Sequence, residues 1–321
     1  MTDDHLPLPD RVRAGAAALA GRAELVRIDE GALDRLAAAL DPTPPEPFPE
    51  ERWEGDAEDR AMGVVAWNAV NFGSGWFPHV VKLPGHSGAR TMAARWQERC
   101  RTAGVPTAGW LAGITVDAVA EVLRQPLEGE GRGLLDAFTA AWRELGAHLL
   151  EHHGGSAPAM IDAAGGSGTA LAAELGALPC WDDRHRVGAL EVPLYKRAQI
   201  VVWDLAGALD GHELGRFHDL STLTAFADNL VPHVLKLAGV LVVDPVLDAR
   251  IERGELLASG ERGEVELRAL GVHAVELLVE RLRSAGHDDV TAATVDHRLW
   301  QQGQDPAVKA RPRHRCRCTY Y

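Results

Sequence analysis

The stretch Leu194-Tyr195-Lys196-Arg197-Ala198-Gln199-Ile200-Val201-Val202-Trp203-Asp204-Leu205 threads four ionic or amide side chains through an otherwise apolar segment. Helical spacing puts Lys196, Gln199 and Trp203 on one face, with Asp204 at its edge. A helix with only a packing duty would carry Leu or Val there, because an unpaired charge is costly to bury. The stretch therefore predicts a helix on which a lysine, an amide, an indole and a carboxylate are exposed, satisfied by partners, or gathered in one pocket for use.

Working outward, the chain reads as helical almost throughout. Val12, Ala16, Leu19 and Ala20, then Leu33, Leu36, Ala37 and Leu40, predict two short helices within residues 11–40, the second capped by Asp29. Residues 41–49 carry Pro42, Pro44, Pro45, Pro47 and Pro49, which remove backbone donors and favour an extended strap. Further helices are expected over 89–102, 115–125, 134–152 and 167–175. Pro193 is placed to start the opening helix, which should run to about Leu209. Residues 223–237 read as one helix with Pro232 inside it, so the Asp228 carbonyl should lose its amide partner and the helix should kink. Glu264 to Ser284 and Thr291 to Trp300 complete the helices. Strand signals are few, short and without an evident partner, as at Val240 to Val243. The fold class expected is mainly α: a single helical body over 61–321, with an N-terminal arm of helices and prolines over 1–60.

The 321 residues are 46% hydrophobic and 25% charged, the balance of a globular chain with a sizeable core. A formal charge of −13 disfavours a polymeric nucleic acid partner but allows a small anion in a locally positive pocket. Cys100, Cys180, Cys316 and Cys318 form neither a Cys-x-x-Cys pair nor a secreted framework, so free thiols in a reducing compartment are expected. The acidic start Met-Thr-Asp-Asp-His has no apolar signal core, and no apolar run approaches the ~18 residues of a membrane span. Cytoplasmic location, no membrane and no obligate protein partner are the expectations.

Asn71-Phe72-Gly73-Ser74-Gly75-Trp76-Phe77-Pro78 sets two glycines among aromatics, either a helix end and turn or a loop where backbone approaches a ligand. Trp67, Phe72, Trp76 and Phe77 suit either core or a stacking wall for a planar base. Gly165-Gly166-Ser167-Gly168 lacks the preceding strand and the following Gly-Lys-Ser/Thr of a phosphate loop. The tail from Arg311 to Tyr321 is rich in arginine, and its two tyrosines favour docking onto the body.

Several of these words occur together: Asn71 to Trp76, Tyr195-Lys196-Arg197-Ala198-Gln199, Phe226-Ala227-Asp228 with Val231-Pro232, and Glu266-Leu267-Arg268. They are followed by Asp296 with Leu299-Trp300, and by His314-Arg315-Cys316-Arg317 before Tyr320-Tyr321. In this order the chain resembles the queuosine salvage protein family, queuosine 5′-phosphate N-glycosylases, from about Val12 to Tyr321. The resemblance implies a helical body similar to DNA glycosylases, release of the 7-deazaguanine base queuine for tRNA modification, and neither metal nor organic cofactor. It places Asp228 on the family's catalytic aspartate and Lys196 on its active-site lysine. The chain departs at Asn229 and Leu230, where many members have Tyr-Arg, and at His233, where many have Gln.

That chemistry suits the residues. Breaking a C1′–N bond builds positive charge on the sugar, which a fixed carboxylate such as Asp228 can stabilise or trap. A 7-deazapurine lacks N7, the usual protonation point, so strong electrostatic help is required, and Lys196 can keep Asp228 ionised or meet a phosphate. Asn71, Ser74, Gln199 and Asp204 offer hydrogen bonds to a base, and Phe72, Trp76 and Trp203 offer stacking. Arg197, His233, Lys236, His314 and Tyr321 are the candidates for a 5′-phosphate. Lone histidines such as His79 and His148 read as surface or packing residues. The competing reading is a non-catalytic protein that binds a modified nucleoside or base.

Overall fold

The computed structural model describes residues 5–43 and 53–321. The strap expected over 41–49 therefore lies mostly outside the described residues. The chain is mainly α, with two short strand pairings. It forms two compact units, each assembled from several segments: Met1–Glu46, Asp183–Gln199 and Ser221–Arg317 in the first, Pro47–Asp182, Ile200–Leu220 and Cys318–Tyr321 in the second.

The first unit is built on the helix Arg262–Ser284, which buries Val265, Leu267, Leu270, Val275, Leu278 and Leu282. Against it lie the helices Leu8–Ala20, Glu30–Ala39, Leu230–Leu237 and Ala292–Gln302. Gly271 permits one close approach, since a β-carbon there would stand 2.9 Å from the Pro232 ring. Asp29 caps Glu30–Ala39 and Thr291 caps Ala292–Gln302 through side-chain oxygens, satisfying amides that the first helical turn leaves open.

The strands are β1 (Val26–Ile28), β2 (Arg184–Val187), β3 (Leu190–Pro193) and β4 (Leu241–Val243). β1 pairs antiparallel with β4, Val26 opposite Val243, so the apolar run at 240–243 does have a partner, supplied from far upstream. The fully buried Glu266 carboxylate holds the chain entering β1 by accepting the N–H groups of Glu24, Leu25 and Val26. β2 and β3 form a hairpin that ends at Pro193. Pro193 thus closes a strand instead of opening the helix, which begins at Lys196 and runs to Ala208.

The second departure concerns 223–237. Only Leu230–Leu237 is helical, and Phe226, Ala227 and Asp228 precede it as irregular backbone. Pro232 falls in the first turn, where a missing N–H costs nothing, so the expected kink does not form. The Asp228 side chain takes up the free amides at the start of this helix, a competition that apolar spacing does not reveal.

The second unit centres on the helix Arg132–His152, flanked by Ala57–Ala69, Ala108–Ala112 and Val116–Leu123. The Trp96 and Trp142 rings lie 4.9 Å apart, and each indole N–H donates to a buried carbonyl, Trp96 to Gly63 at 3.0 Å and Trp142 to Ala66 at 2.8 Å. Ser167 caps Gly168–Gly176, and the Asp219 carboxylate accepts from the Gly168 and Thr169 amides at 2.7 and 3.1 Å. A carboxylate therefore occupies the helix start that a phosphate loop would offer to its ligand. No helix among the described residues is long and apolar enough to cross a membrane.

Candidate active site

Lys196 is positioned by the turn out of β3. The Asp183 carbonyl accepts the Leu194 N–H at 2.9 Å, and Tyr195 takes a left-handed backbone with φ of +48°. For a bulky residue this conformation costs about 1–3 kcal/mol and persists only where its surroundings enforce it. The Lys196 N–H then donates to the Asp183 carboxylate at 3.3 Å, and the side chain, 6% exposed, acts through its charge on both Asp228 and Asp296.

Asp228 stands two residues before the Leu230–Leu237 helix, and its Oδ1 accepts the N–H groups of Leu230 at 2.8 Å and Val231 at 2.9 Å. It keeps a half-buried surface. Loss of solvent raises its pKa, while the two amides, Lys196 and Arg313 pull the other way. The helix N-terminus also favours its negative form. Asp296 is buried at 4% exposure, and its Oδ1 accepts the Phe226 N–H at 2.9 Å. Burial, then the charge of Asp228, push its pKa well up. Asp296 has one backbone donor where Asp228 has two, which favours the negative charge of the pair on Asp228.

A second ionic group, in the same unit, holds this arrangement. Arg268, fully buried, donates to Asp183 at 2.6 Å and 3.1 Å, to Glu264 at 3.2 Å, and through Nε to the Ala227 carbonyl at 2.9 Å. One guanidinium thereby ties the aspartate that anchors Lys196 to the residue preceding Asp228. His185 completes the group at 2.9 Å from Asp183. Burial works against the Asp183 charge, but Arg268 and His185 outweigh it and hold the carboxyl below the usual range.

The remaining first-unit candidates are placed as follows. The Gln199 amide donates to Thr224 Oγ1 at 2.9 Å and accepts the Thr224 N–H at 3.0 Å, so it fastens its helix to the chain leading to Asp228. Arg197 is buried. His233 has its pKa lowered by burial and sets Nε2 3.1 Å from the Val308 carbonyl. Lys236 is engaged by Asp248 and Glu252. His314 is buried, and desolvation drives its pKa down to about 3, so it is neutral.

Within the second unit, Asn68 donates to Asp204 at 2.9 Å and receives the Asn71 amide at 3.2 Å, which gathers two of the expected base readers. Phe72 is buried edge-on against Phe138, Ser74 is buried, and Trp76 and Trp203 are half-buried. The Tyr321 carbonyl accepts the Gly73 and Ser74 amides at 3.0 and 3.3 Å, so the tail does dock. Gly73 has φ of +127°, and a β-carbon there would meet Leu134 and Phe77.

Sequence reasoning missed Asp296 and Arg268 as site residues, although both stand in family words, and missed Arg313 and Asp183 altogether. Among the described residues, His148, His153 and Glu174 could hold a metal ion, both Nε2 atoms lying 2.8 and 2.5 Å from one carboxylate oxygen. Hydrogen bonds already account for that trio, and they give His148 a defined partner.

Comparison with known proteins matches residues 91–321 to the family described as queuosine salvage protein. The queuosine 5′-phosphate N-glycosylase/hydrolase of Sphaerobacter thermophilus is 38% identical over 310 residues, 94% of each chain. The protein of that name from Bos taurus is 30% identical over 336 residues, covering 96% of this chain and 98% of its own. That of Dictyostelium discoideum is 35% identical over 181 residues, 56% of each chain.

Proposed function

We infer, because the chain belongs to the queuosine salvage protein family, that it is a hydrolase cleaving the N-glycosidic bond of queuosine 5′-phosphate. In that reaction the C1′–N bond breaks and its electron pair passes to the base, which gains a proton and leaves as queuine for salvage into tRNA. Water supplies the oxygen that bonds to C1′, and ribose 5-phosphate is the second product. We take this salvage step to occur in the cytoplasm.

The observation that carries the site assignment is the Asp228 carboxyl, which accepts two amides at a helix start within the fields of Lys196 and Asp296. In this reading Asp228 faces C1′ and stabilises the positive charge that develops as the base departs, with its lone pairs preorganised by the fold. Lys196 offsets the charge of Asp228 in the resting site and supports the departing base electrostatically. Asp296 supplies no second negative charge, so the field at the sugar comes from Asp228 alone. Asn71, Phe72, Ser74, Trp76, Trp203 and Asp204 are our assignments for the base, with Gln199 positioning the segment before Asp228.

Incubation of the protein with 7-deazaguanine nucleosides and their 5′-phosphates, followed by mass-spectrometric detection of free base, tests the function. Base should appear with the wild-type protein and not with Asp228→Asn; equal behaviour of the two proteins would sink the assignment. The pH profile gives a second check. Only ionised Asp228 is active and its pKa is raised, so kcat/KM should fall as pH drops through a value above the ordinary carboxylate range, about 4. An acid limb at or below that range would contradict the assignment.

A further inference from the structure

We propose that Arg313 is the residue that receives the 5′-phosphate of the substrate, and so sets the preference for nucleotide over nucleoside; this rests on the N-glycosidase reading above. Its place in the fold comes first. The His314 carbonyl accepts the Asn229 side-chain amide at 2.8 Å, which pins the tail directly beside the residue that follows Asp228. The His233 ring meets the Val308 carbonyl, so the segment leading to Arg313 crosses the first turn of the same helix. Arg313 is thereby held within the field of Asp228, and its charge also bears on His233 and His314.

Arg313 is nonetheless unengaged. Its Nε is buried without a hydrogen-bond partner. Burial lowers its pKa, and neighbouring Arg315 adds repulsion. A guanidinium whose Nε has given up water without gaining an acceptor is a site for an anion. His233, which feels the charge of Arg313, has in Nδ1 a second buried polar atom without a partner. With Nε2–H directed to Val308, neutral His233 presents Nδ1 as an acceptor. A donor on one residue and an acceptor on the other match a phosphate monoester, which offers oxygens and, near its second pKa of about 6, a hydroxyl.

Three other basic residues of this unit are less suited. Lys236 is engaged by Asp248 and Glu252, His314 is neutral, and Arg315 donates to the Gly254 carbonyl at 3.3 Å. The substrate leaves equally little choice. Its ribose is neutral, and the substituent on the queuine ring carries a secondary amine, cationic at neutral pH, which Arg313 would repel. The phosphate is its one anion.

Steady-state kinetics of wild type, Arg313→Gln and Arg313→Lys on queuosine 5′-phosphate and on queuosine tests this. Arg313→Gln should lower the nucleotide-over-nucleoside ratio of kcat/KM by about 10- to 100-fold, chiefly through KM, the effect of losing a charged hydrogen bond. Arg313→Lys should lower it less, since it keeps the charge and loses the planar fork. A ratio left at the wild-type value, with both substrates slowed alike, would show that Arg313 acts on Asp228 and would overturn the proposal. Calorimetry with ribose 5-phosphate separates this outcome from failure of the activity itself. Binding that weakens in Arg313→Gln upholds the phosphate site even if no base is released, and binding that is unchanged overturns it.

Discussion

Two ionic groups in the first unit use the same residue types and end in opposite states. Around Arg268 the circuit is closed: Asp183, Glu264 and the Ala227 carbonyl take its donors, His185 hydrogen-bonds Asp183, and the Asp183 pKa is driven down. Around Asp228 it is open: loss of solvent raises Asp228 and Asp296, and Arg313 Nε has no partner. Burial alone does not separate them, for Asp183 and Asp296 are both nearly inaccessible. Saturation does. A buried charge whose every bond is made belongs to the frame, whereas one left short of partners is held ready for a ligand.

The largest expected effect comes from breaking the open group at its centre. Asp228→Asn should lower kcat by roughly 1,000-fold or more, about 4 kcal/mol of transition-state stabilisation. Its melting temperature at neutral pH should stay level or rise. The raised pKa means that the fold disfavours the Asp228 charge, and an asparagine oxygen can still accept from Leu230 and Val231. Loss of activity together with a large drop in melting temperature would place Asp228 in the frame.

Breaking the closed group should do the reverse. Arg268→Met leaves Asp183 buried without its cation and should cost about 3–5 kcal/mol of stability. Chemical denaturation measures it directly. A change below about 1 kcal/mol, the range of exposed pairs, would mean the group is not the clamp described. Activity should fall as well, because the same side chain anchors both the Lys196 turn and Ala227.

Much of the frame was legible in the sequence, and the reason is local. Asp29, Thr115, Ser167 and Thr291 cap helices as their positions before apolar-periodic segments suggest, and the Lys196–Ala208 helix follows from its spacing. The segment 223–229 misled because Leu223, Phe226 and Leu230 keep helical spacing, while what fixes the backbone is distant: Arg268 on the Ala227 carbonyl and Asp296 on the Phe226 amide. Helical spacing picks out Lys196, and the family words add Asp228 and the roles of both. Asp296 and Arg313 depend on which charges burial brings together, and no local pattern encodes that. The density of arginine in the tail was the one available sign of Arg313.

The smallest effect at neutral pH, and the sharpest contrast between the groups, is expected from Asp296→Asn. Asparagine reproduces a protonated carboxyl, and its carbonyl can accept the Phe226 N–H as Asp296 does. The sign of the pH dependence follows from proton binding. The folded protein holds the Asp296 proton more tightly than the unfolded chain, so unfolding stability declines as pH rises from the ordinary carboxylate range to the raised pKa. Asp183 has the opposite sign: its contribution is full above the ordinary carboxylate range and is lost as pH falls toward its depressed pKa. Asp296→Asn should therefore flatten the decline toward higher pH and leave the acid loss from Asp183 in place. Denaturation curves across pH for both proteins check this. If the variant keeps the wild-type decline toward higher pH, then Asp296 does not hold the proton, and the open group carries two negative charges instead of one.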